Sequence, residues 1–282
     1  MNVGIIGLGL MGGSFAKTLN KKTDCKVFGF DVSENAILKA EMLGVIDGRL
    51  NGKTAKTVDT LIIATTPDKL EKIFNDFLPY LKKGAIITDF CGIKRNVVNL
   101  MKKYAEKYKD LIFVGGHPMA GREFSGIEHA TSTLFDNASM ILSNVNADIF
   151  TMEKIRAFYL TLGFREVVIC SPEEHDEIIA YTSQLCHIVS NAFIKNKSAE
   201  KHDGFSAGSY KDMTRVARLN PTMWADLMSE NKDNLLTELT ELIDNLTEYK
   251  TALKSDDKEL LEKLLSDGNE RKLKIDVKSK KV

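Results

Sequence analysis

The sequence has no surplus of charge of either sign. Among its 282 residues, the 39 Lys and Arg balance the 39 Asp and Glu, so the formal net charge is zero. Nucleic acids and anionic membranes select basic surfaces, and these totals favour neither kind of partner. No apolar run approaches the ~20 residues that a membrane-spanning helix needs. The composition therefore predicts a protein that binds neither nucleic acid nor membrane.

Cysteine is scarce, and the N-terminus lacks a secretion signal. No C-x-x-C pair and no Cys/His cluster with zinc-ligand spacing occurs. The chain runs straight from Met1 into V-G-I-I-G, without a basic segment before an apolar one. We therefore expect a reduced, cytoplasmic protein without a bound metal. The four cysteines are scattered along the chain: Cys25, Cys91, Cys170 and Cys186.

A glycine-rich turn follows the first predicted strand. Residues 2–6 have the pattern of a short buried strand, and Gly7, Gly9 and Gly12 follow with G-x-G-x-x-G spacing. Such glycines permit a tight turn, close approach of the backbone to a pyrophosphate, and packing of a helix on the strand. The spacing alone is a weak signal, but here a strand precedes it and a helix follows it. We predict a dinucleotide-binding loop made of Gly7, Leu8, Gly9, Leu10, Met11 and Gly12.

The second predicted strand, over residues 26–30, ends at Asp31. A carboxylate at this position hydrogen-bonds the adenosine ribose hydroxyls and repels a 2′-phosphate. Val32 and Ser33 provide no arginine for that phosphate, so NAD is favoured over NADP. The alternative interpretation of Asp31 is a helix N-cap before Ser33.

Further strands alternate with helices in the first half of the chain. Strand patterns cover residues 58–64, 84–89 and 111–114, and the segments between them have helical periodicity. This alternation predicts an α/β fold with a doubly wound, mainly parallel sheet whose ligands lie at the carboxyl ends of the strands. We therefore expect four strand-end residues at the cofactor crevice, although the first three could simply start a helix: Thr65, Thr66, Pro67 and Asp89.

The most unusual stretch is F-V-G-G-H-P-M-A-G, residues 113–121. The glycines leave room for a ligand, and Pro118 biases His117 toward an extended conformation, so the imidazole is held in one place. A histidine in a turn more often makes a structural hydrogen bond. The nucleotide-binding signature in the same half changes that balance, because a histidine beside a bound nicotinamide can serve as a base.

The pattern becomes entirely helical after residue 170. Ser171 begins a helix in S-P-E-E, with an N-cap serine, a proline in the first turn and a capping glutamate. Residues 223–253 read as one long helix with a stripe of leucines, which needs a partner surface. We predict a dinucleotide-binding domain over residues 1–170 and a helical domain over residues 171–282 that forms a homodimer, with packing inside one chain as the alternative. A last helix is expected over residues 257 to about 265, followed by a charged and partly disordered tail over residues 272–282.

These motifs together resemble the prephenate dehydrogenase family of tyrosine biosynthesis. The resemblance covers nearly the whole chain and is most specific in H-P-M-A-G-R-E-F-S-G and K-D-M-T-R-V-A, with T-D-F-C-G-I-K, S-P-E-E-H-D, S-Q-L-C-H and P-T-M-W in support. It implies NAD-dependent oxidative decarboxylation of prephenate to 4-hydroxyphenylpyruvate, and a helical domain that forms a dimer. It also implies that residues 140–142 and 166–169 are strands at the far edge of the sheet.

The resemblance also implies roles for individual residues. His117 takes the hydroxyl proton, and Arg215, whose guanidinium can clamp a carboxylate, binds the ring carboxylate. The residues implied near the substrate are His187, Glu123, Asp212 and Trp224. From residue type alone, Arg215 could be an ordinary surface arginine, and His187 and Trp224 could be core residues.

One departure from the family is the absence of a serine. Many members have Gly-Ser where this chain has Cys91-Gly92, so a hydroxyl that would help to hold the histidine and the substrate is missing. A water, Lys94 or a neighbouring residue would have to substitute, or the geometry is looser. Hydride transfer needs no covalent intermediate, so no nucleophilic role is inferred for Cys91.

Three other functions remain open from the sequence. Arogenate is a possible substrate, because Glu123 could pair with its amino group. G-L-G-L-M-G also begins 3-hydroxyacid dehydrogenases of the 6-phosphogluconate type, although their catalytic lysine has no convincing counterpart here. A non-catalytic, NAD-sensing dimer would fit if Gly92 had abolished catalysis.

Overall fold

An eight-stranded sheet lies at the centre of the first part of the chain. The computed structural model describes residues 1–122 and 124–279, and it divides into a unit over Met1–Asn231 and a second unit that begins at Lys232. The strands are β1 (Asn2–Ile6), β2 (Lys26–Phe30), β3 (Gly48–Arg49), β4 (Thr60–Ile63), β5 (Ile86–Asp89), β6 (Ile112–Pro118), β7 (Ser139–Asn144) and β8 (Glu166–Ile169).

The strand order is β3-β2-β1-β4-β5-β6-β7-β8. All neighbouring pairs are parallel except β6 and β7, so the last two strands run against the rest. The predicted class, a doubly wound and mainly parallel sheet followed by an all-helical part, is confirmed. The helices are α1 (Leu10–Lys22), α2 (Glu34–Met42), α3 (Leu70–Phe77), α4 (Arg95–Lys107), α5 (Ile149–Thr161), α6 (Pro172–Ile179), α7 (Cys186–Phe193), α8 (Gly208–Thr214), α9 (Pro221–Glu230), α10 (Lys232–Lys254) and α11 (Lys258–Ser279).

Two apolar clusters hold the helices to the sheet. The central strands β1 and β4 are mostly apolar because both faces of the sheet are covered there, and all four residues of β4 are buried. One cluster contains Phe15, which meets Phe90 edge-to-face at 5.1 Å between ring centroids. The other contains Phe74 and Phe113, whose ring centroids are 5.9 Å apart. This packing fixes the carboxyl ends of β1, β4, β5 and β6 at one edge.

Strand β6 is longer than the sequence pattern predicted. It pairs with β5 only as far as Val114, but β7 continues to pair with it through Pro118, so that His117 lies opposite Ile141. His117 therefore belongs to the strand itself and not to the turn after it. Pairing with β7 therefore fixes the backbone of His117 on one side.

A continuous helical run opens the second half. Ser171 caps it as predicted, since its hydroxyl accepts a hydrogen bond of 3.1 Å from the Glu174 amide. Between α6 and α7, residues Ala180–Leu185 form a π-helical turn, a wide turn that inserts one residue into the helical repeat. Such turns are frequent at functional sites.

The predicted long helix over residues 223–253 is wrong. Asn231 has φ −117° and ψ 26°, which interrupts the run between α9 and α10. The second unit contains α10 and α11, and the Tyr249 hydroxyl donates a 3.1 Å hydrogen bond to the Leu264 carbonyl. Helix α11 continues through the expected tail to Ser279, with ion pairs one turn apart such as Lys274 with Glu270 at 3.7 Å. None of the helices described is both long and apolar enough to cross a membrane.

Candidate active site

The glycine loop between β1 and α1 has the shape of a phosphate cradle. Gly7 has φ +92°, and a Cβ on Gly12 would lie 1.8 Å from the Gly7 carbonyl oxygen, so neither position tolerates a side chain. A Cβ on Gly9 would meet no atom within 4 Å, so this side of the loop is open. The open backbone stands at the N-terminus of α1, where peptide dipoles favour an anion. The residues present therefore fit a dinucleotide pyrophosphate.

The Asp31 carboxylate is hydrogen-bonded to the glycine loop. Its Oδ2 accepts a 2.7 Å hydrogen bond from the Leu8 amide, and its Oδ1 accepts one of 2.8 Å from the Ser33 amide. The N-cap of α2 is Ser33 and not Asp31, because the Ser33 hydroxyl accepts from the Ala36 amide. The half-buried Asp31 carboxylate thus lies at the junction where a ribose would follow the pyrophosphate.

The residues that follow β4 also border the loop. The Thr65 methyl group lies 2.9 Å from the position of a Cβ on Gly7, so this threonine packs directly against the loop. Thr66 and Pro67 begin a short 3-10 turn, which accounts for the alternative reading of this segment as a helix start.

Asp89 occupies a different environment from the one predicted. Its side chain is fully buried and has internal partners instead of a position in the crevice. Oδ2 binds the Lys94 ammonium at 2.5 Å and the Cys91 amide at 2.8 Å, while Oδ1 accepts from the Gly116 amide at 3.0 Å. Gly116 directly precedes His117, so Asp89 supports the strand that carries the imidazole.

A chain of hydrogen bonds leads from His117 into the helical half. His117 Nδ1 lies 2.8 Å from Nε2 of His175, and His175 Nδ1 lies 2.7 Å from Oδ1 of Asp176. His175 and Asp176 are buried in α6, whereas His117 retains some exposure at the crevice. Two histidines and a carboxylate from different halves of the sequence therefore form one polar site.

The environment sets the protonation of all three groups. Desolvation lowers the pKa of His117 well below its usual value, and the charges of His175 and Lys94 lower it further. Burial also lowers the pKa of His175, more than Asp176 raises it. For Asp176, burial pushes the pKa upward, but hydrogen bonds from His175, Arg95 and Lys94 leave it below its usual value. Both imidazoles are therefore neutral near pH 7, and Asp176 is ionised.

The position of the missing serine faces His117. A Cβ on Gly92 would lie 4.0 Å from Cε1 of His117 and 3.5 Å from the Leu227 side chain. Lys94 does not replace the hydroxyl, because its ammonium is held by Asp89 and by the Ile93 carbonyl. The side chain within hydrogen-bonding distance of the His117 ring is that of His175. Burial raises the pKa of the Cys91 thiol, which keeps it protonated and agrees with the absence of a nucleophilic role.

The remaining predicted residues lie on the helical part of the first unit. The rings of His187 and Trp224 are stacked, with centroids 3.8 Å apart, and His187 Nδ1 lies 2.9 Å from the Ser183 carbonyl. Arg215 and Asp212 are exposed on α8 and the short turn after it, which packs against α7. The structure thus pairs His187 with Trp224. Glu123 lies outside the described residues.

Sequence reasoning missed His175 and Asp176 as site residues. They belong to S-P-E-E-H-D, which contributed to the family resemblance but received no role because it reads as a helix start. The available signal was a histidine followed by an aspartate directly after the capped first turn of a helix. Within residues 1–122 and 124–279, no three His, Cys, Asp or Glu side chains are grouped so as to hold a metal ion.

Two family profiles match this sequence, and together they cover most of it. The profile described as "Prephenate dehydrogenase, nucleotide-binding domain" matches residues 15–172, and that described as "Prephenate dehydrogenase, dimerization domain" matches residues 171–267. The chain belongs to the prephenate dehydrogenase family. It is an oxidoreductase of that family.

Individual relatives extend over most of the chain. A prephenate dehydrogenase of Bacillus subtilis is 32% identical over 271 residues, which cover 91% of this chain and 71% of that protein. A cyclohexadienyl dehydrogenase of Zymomonas mobilis is 30% identical, with 92% of this chain and 91% of that protein covered. The crystal structure of prephenate dehydrogenase from A. aeolicus with hydroxyphenyl propionate and NAD+ is 28% identical, has a TM-score of 0.82, and is matched over 98% of both chains. The predicted cofactor, NAD, is confirmed.

Proposed function

We propose that this prephenate dehydrogenase family member converts prephenate to 4-hydroxyphenylpyruvate for tyrosine biosynthesis, with His117 as the base. The observation that carries the proposal is the position of the His117 imidazole near the carboxyl end of β6, at the same edge of the sheet as the glycine loop, where burial lowers its pKa. A neutral imidazole can accept a proton, and a positioned general base typically contributes ~10²–10⁴-fold to the rate.

The chemistry requires few protein groups. When bound, NAD accepts the hydride from the ring carbon that bears the hydroxyl. His117 takes the hydroxyl proton as the C–H bond breaks, and the electrons of the C–CO2 bond enter the ring as carbon dioxide leaves. The resulting phenolate oxygen recovers the proton from His117, so no net proton is consumed. The gain of aromaticity makes the reaction effectively irreversible.

Five residues are proposed to bind prephenate: Arg215, Asp212, His187, Trp224 and Glu123. A guanidinium suits the ring carboxylate because two N–H groups can bind it side by side. The stacked His187 and Trp224 rings offer a flat, half-buried surface of the kind that packs against a six-membered ring. We keep the predicted boundary as part of the proposal: residues 1–170 bind NAD and contribute His117 and Glu123 to the substrate site, and residues 171–282 supply the other substrate-binding residues and form the dimer.

The homodimer is proposed to use the exposed apolar stripe of α10. Leu236, Ile243, Leu246 and Leu253 are each more than half exposed, and their spacings of seven, three and seven residues put them on one helix face. A stripe of this kind is costly to leave in water and suits a helix of a second copy.

The direct test is NADH formation by the purified protein with prephenate, with NADP as the cofactor control. We expect turnover with NAD, a loss of ~10²–10⁴-fold in kcat for His117→Asn, and unchanged NAD affinity in that variant. Arg215→Ala is expected to raise the KM for prephenate more than it lowers kcat. Near-normal turnover of His117→Asn would refute the assignment of the base.

Arogenate is the second candidate substrate. The Zymomonas mobilis relative is named for cyclohexadienyl substrates in general, and a Methanocaldococcus jannaschii relative, 25% identical, is named a probable arogenate/prephenate dehydrogenase. A comparison of kcat/KM for the two substrates separates them. Failure to reduce NAD with either would favour the non-catalytic, NAD-sensing dimer.

A further inference from the structure

We propose that His175 and Asp176 are positioning residues for the reaction: they hold His117 in the tautomer whose Nε2 can accept the substrate proton, and they share the charge that His117 then gains. The proposal rests on the proposed function, since it assigns a task to groups behind the proposed base. Its evidence is the hydrogen-bonding pattern of three side chains.

The argument begins at Asp176, which is surrounded by donors. Its Oδ1 accepts from the Lys94 amide at 2.6 Å, and its Oδ2 accepts from the Arg95 amide at 2.9 Å and the Arg95 Nε at 3.3 Å. An ionised carboxylate can only accept hydrogen bonds. His175 Nδ1, 2.7 Å from Oδ1, therefore carries a hydrogen.

The tautomers of both histidines follow from that hydrogen. A neutral imidazole has one N–H group, so His175 with a hydrogen on Nδ1 must accept at Nε2. The atom 2.8 Å from it, Nδ1 of His117, is then the donor. This leaves Nε2 of His117 without a hydrogen, as a base requires. With Nε2 protonated instead, His117 would have no lone pair to offer the substrate.

The same hydrogen bonds can stabilise the positive charge that His117 gains after proton transfer. A cation on His117 in this partly buried site is costly unless it is paired. The proton on His117 Nδ1 can move to His175 Nε2, which places the positive charge on His175, next to the Asp176 carboxylate. The reverse movement returns His117 to its first state when the product takes its proton. The nearby Lys94 ammonium does not compete for Asp176, because Asp89 neutralises it at 2.5 Å.

A polar network fixes α6 against the N-terminus of α4 and the end of α9. The Asn231 amide group donates to the Asp176 carbonyl at 2.8 Å and to the Gln184 side-chain oxygen at 2.9 Å. Arg95 donates to the Asn231 side-chain oxygen at 2.9 Å. Because the N-terminus of α4 and the end of α9 both bind α6, His175 has little freedom to move away from His117.

The test combines tautomer measurement with kinetics in the full-length protein. The chain has five histidines, few enough for long-range ¹H–¹⁵N correlation spectra to assign each ring. We expect the wild-type protein without ligand at pH 7.5 to have the hydrogen on Nδ1 in both His117 and His175. His175→Gln keeps an acceptor near the position of Nε2, whereas His175→Phe has none. His129→Phe, at an exposed position, is the matched control.

The kinetic expectations differ among the variants. His175→Phe should lose the Nδ1–H preference of His117 and lower kcat with prephenate by ~10²–10⁴-fold, the range of a lost or misoriented base. His175→Gln should keep that tautomer and lose only about 10-fold in kcat, because it accepts a hydrogen bond but cannot take the proton. NAD affinity should stay within about twofold of wild type in both variants, and His129→Phe should turn over normally.

Three results would overturn the proposal: a wild-type His117 with its hydrogen on Nε2, a His175→Phe protein that keeps the Nδ1–H tautomer, or one with kcat within about threefold of wild type. If His175→Phe does not fold, the wild-type spectrum and the His175→Gln kinetics decide. An inactive His117→Asn beside a fully active His175→Phe would remove the positioning role alone. A fully active His117→Asn would instead remove the proposed function.

Discussion

Replacing Lys94 with methionine should destabilise the protein strongly, because it leaves a buried carboxylate without its counter-ion. Lys94 and Asp89 are both fully buried, and their charged atoms are 2.5 Å apart. After the substitution, Asp89 would retain only the backbone amides of Cys91 and Gly116. Breaking a buried pair in this way typically costs about 3–5 kcal/mol.

Urea unfolding measures this cost. With a urea m-value of about 3 kcal/mol per molar, a loss of 3–5 kcal/mol lowers the unfolding midpoint by about 1–1.7 M. The double variant Asp89→Asn/Lys94→Met removes both charges and should recover at least ~1 kcal/mol, because no unpaired charge stays buried. Activity should fall in both variants, since the Gly116 amide that Asp89 holds precedes His117.

Lys72→Met is the matched control. Lys72 binds Asp76 at 2.6 Å on the surface of α3, with 76% of the lysine side chain exposed. Exposed pairs of this spacing contribute about 0.3–0.5 kcal/mol, so the midpoint should hardly move. If Lys94→Met unfolded at the same urea concentration as this control, the buried pair would not stabilise the fold as its geometry indicates.

Three further predictions concern the serine position, pH and assembly. Gly92→Ser should fold normally, since its Cβ makes only ordinary contacts, and should keep or raise kcat with prephenate; a loss of more than ~10-fold would contradict the geometry. Because burial lowers the pKa values of His117 and His175, the unfolded chain binds more protons below pH ~6.5. The melting temperature should thus be unaffected above pH ~6.5 and should fall as the pH is lowered toward the pKa values of the two histidines in the folded protein. The fall should be smaller in His117→Gln. An equal fall in the two proteins would show that His117 does not contribute. Leu246→Asp should weaken a dimer by ~30-fold or more in sedimentation experiments, while an unchanged mass would exclude α10 from the interface.

Most strands of the first half and their alternation with helices could be predicted because local patterns encode them, whereas the two-residue β3 was not predicted. β1 and β2 have the predicted bounds, and Gly7, Gly9 and Gly12 form the predicted loop. The far end of β6 could not be predicted, because G-G-H-P has poor strand propensity and becomes a strand only through pairing with β7. Tertiary contact overrode local preference there.

The break at Asn231 and the roles of Asp89 and His175 were also beyond pattern reasoning. Asn231 stands between Glu230 and Lys232, both good helix formers, and it leaves the helix where its side chain binds the Asp176 carbonyl and Gln184. Asp89 ends a strand, as residues of a cofactor crevice do, but its carboxylate forms a buried ion pair with Lys94. His175 meets His117 across 58 positions of sequence, a distance at which periodicity carries no information. The fold of each half can be predicted from its own sequence pattern, but the contact between His117 and His175, which joins the two halves, cannot.

The wide turn at Ala180–Leu185 changes the direction in which side chains project between α6 and α7. An α-helix rotates about 100° per residue, so the inserted residue sets the phase of α7 independently of α6. His175 can thereby face the base while His187, twelve positions later, lies flat on Trp224. Deleting one residue from this turn would restore a uniform spiral and swing the second ring away from its stacking partner, with the first ring left where it is. A change of length by one residue would thus move the His187 ring while the His175 ring keeps its place beside His117.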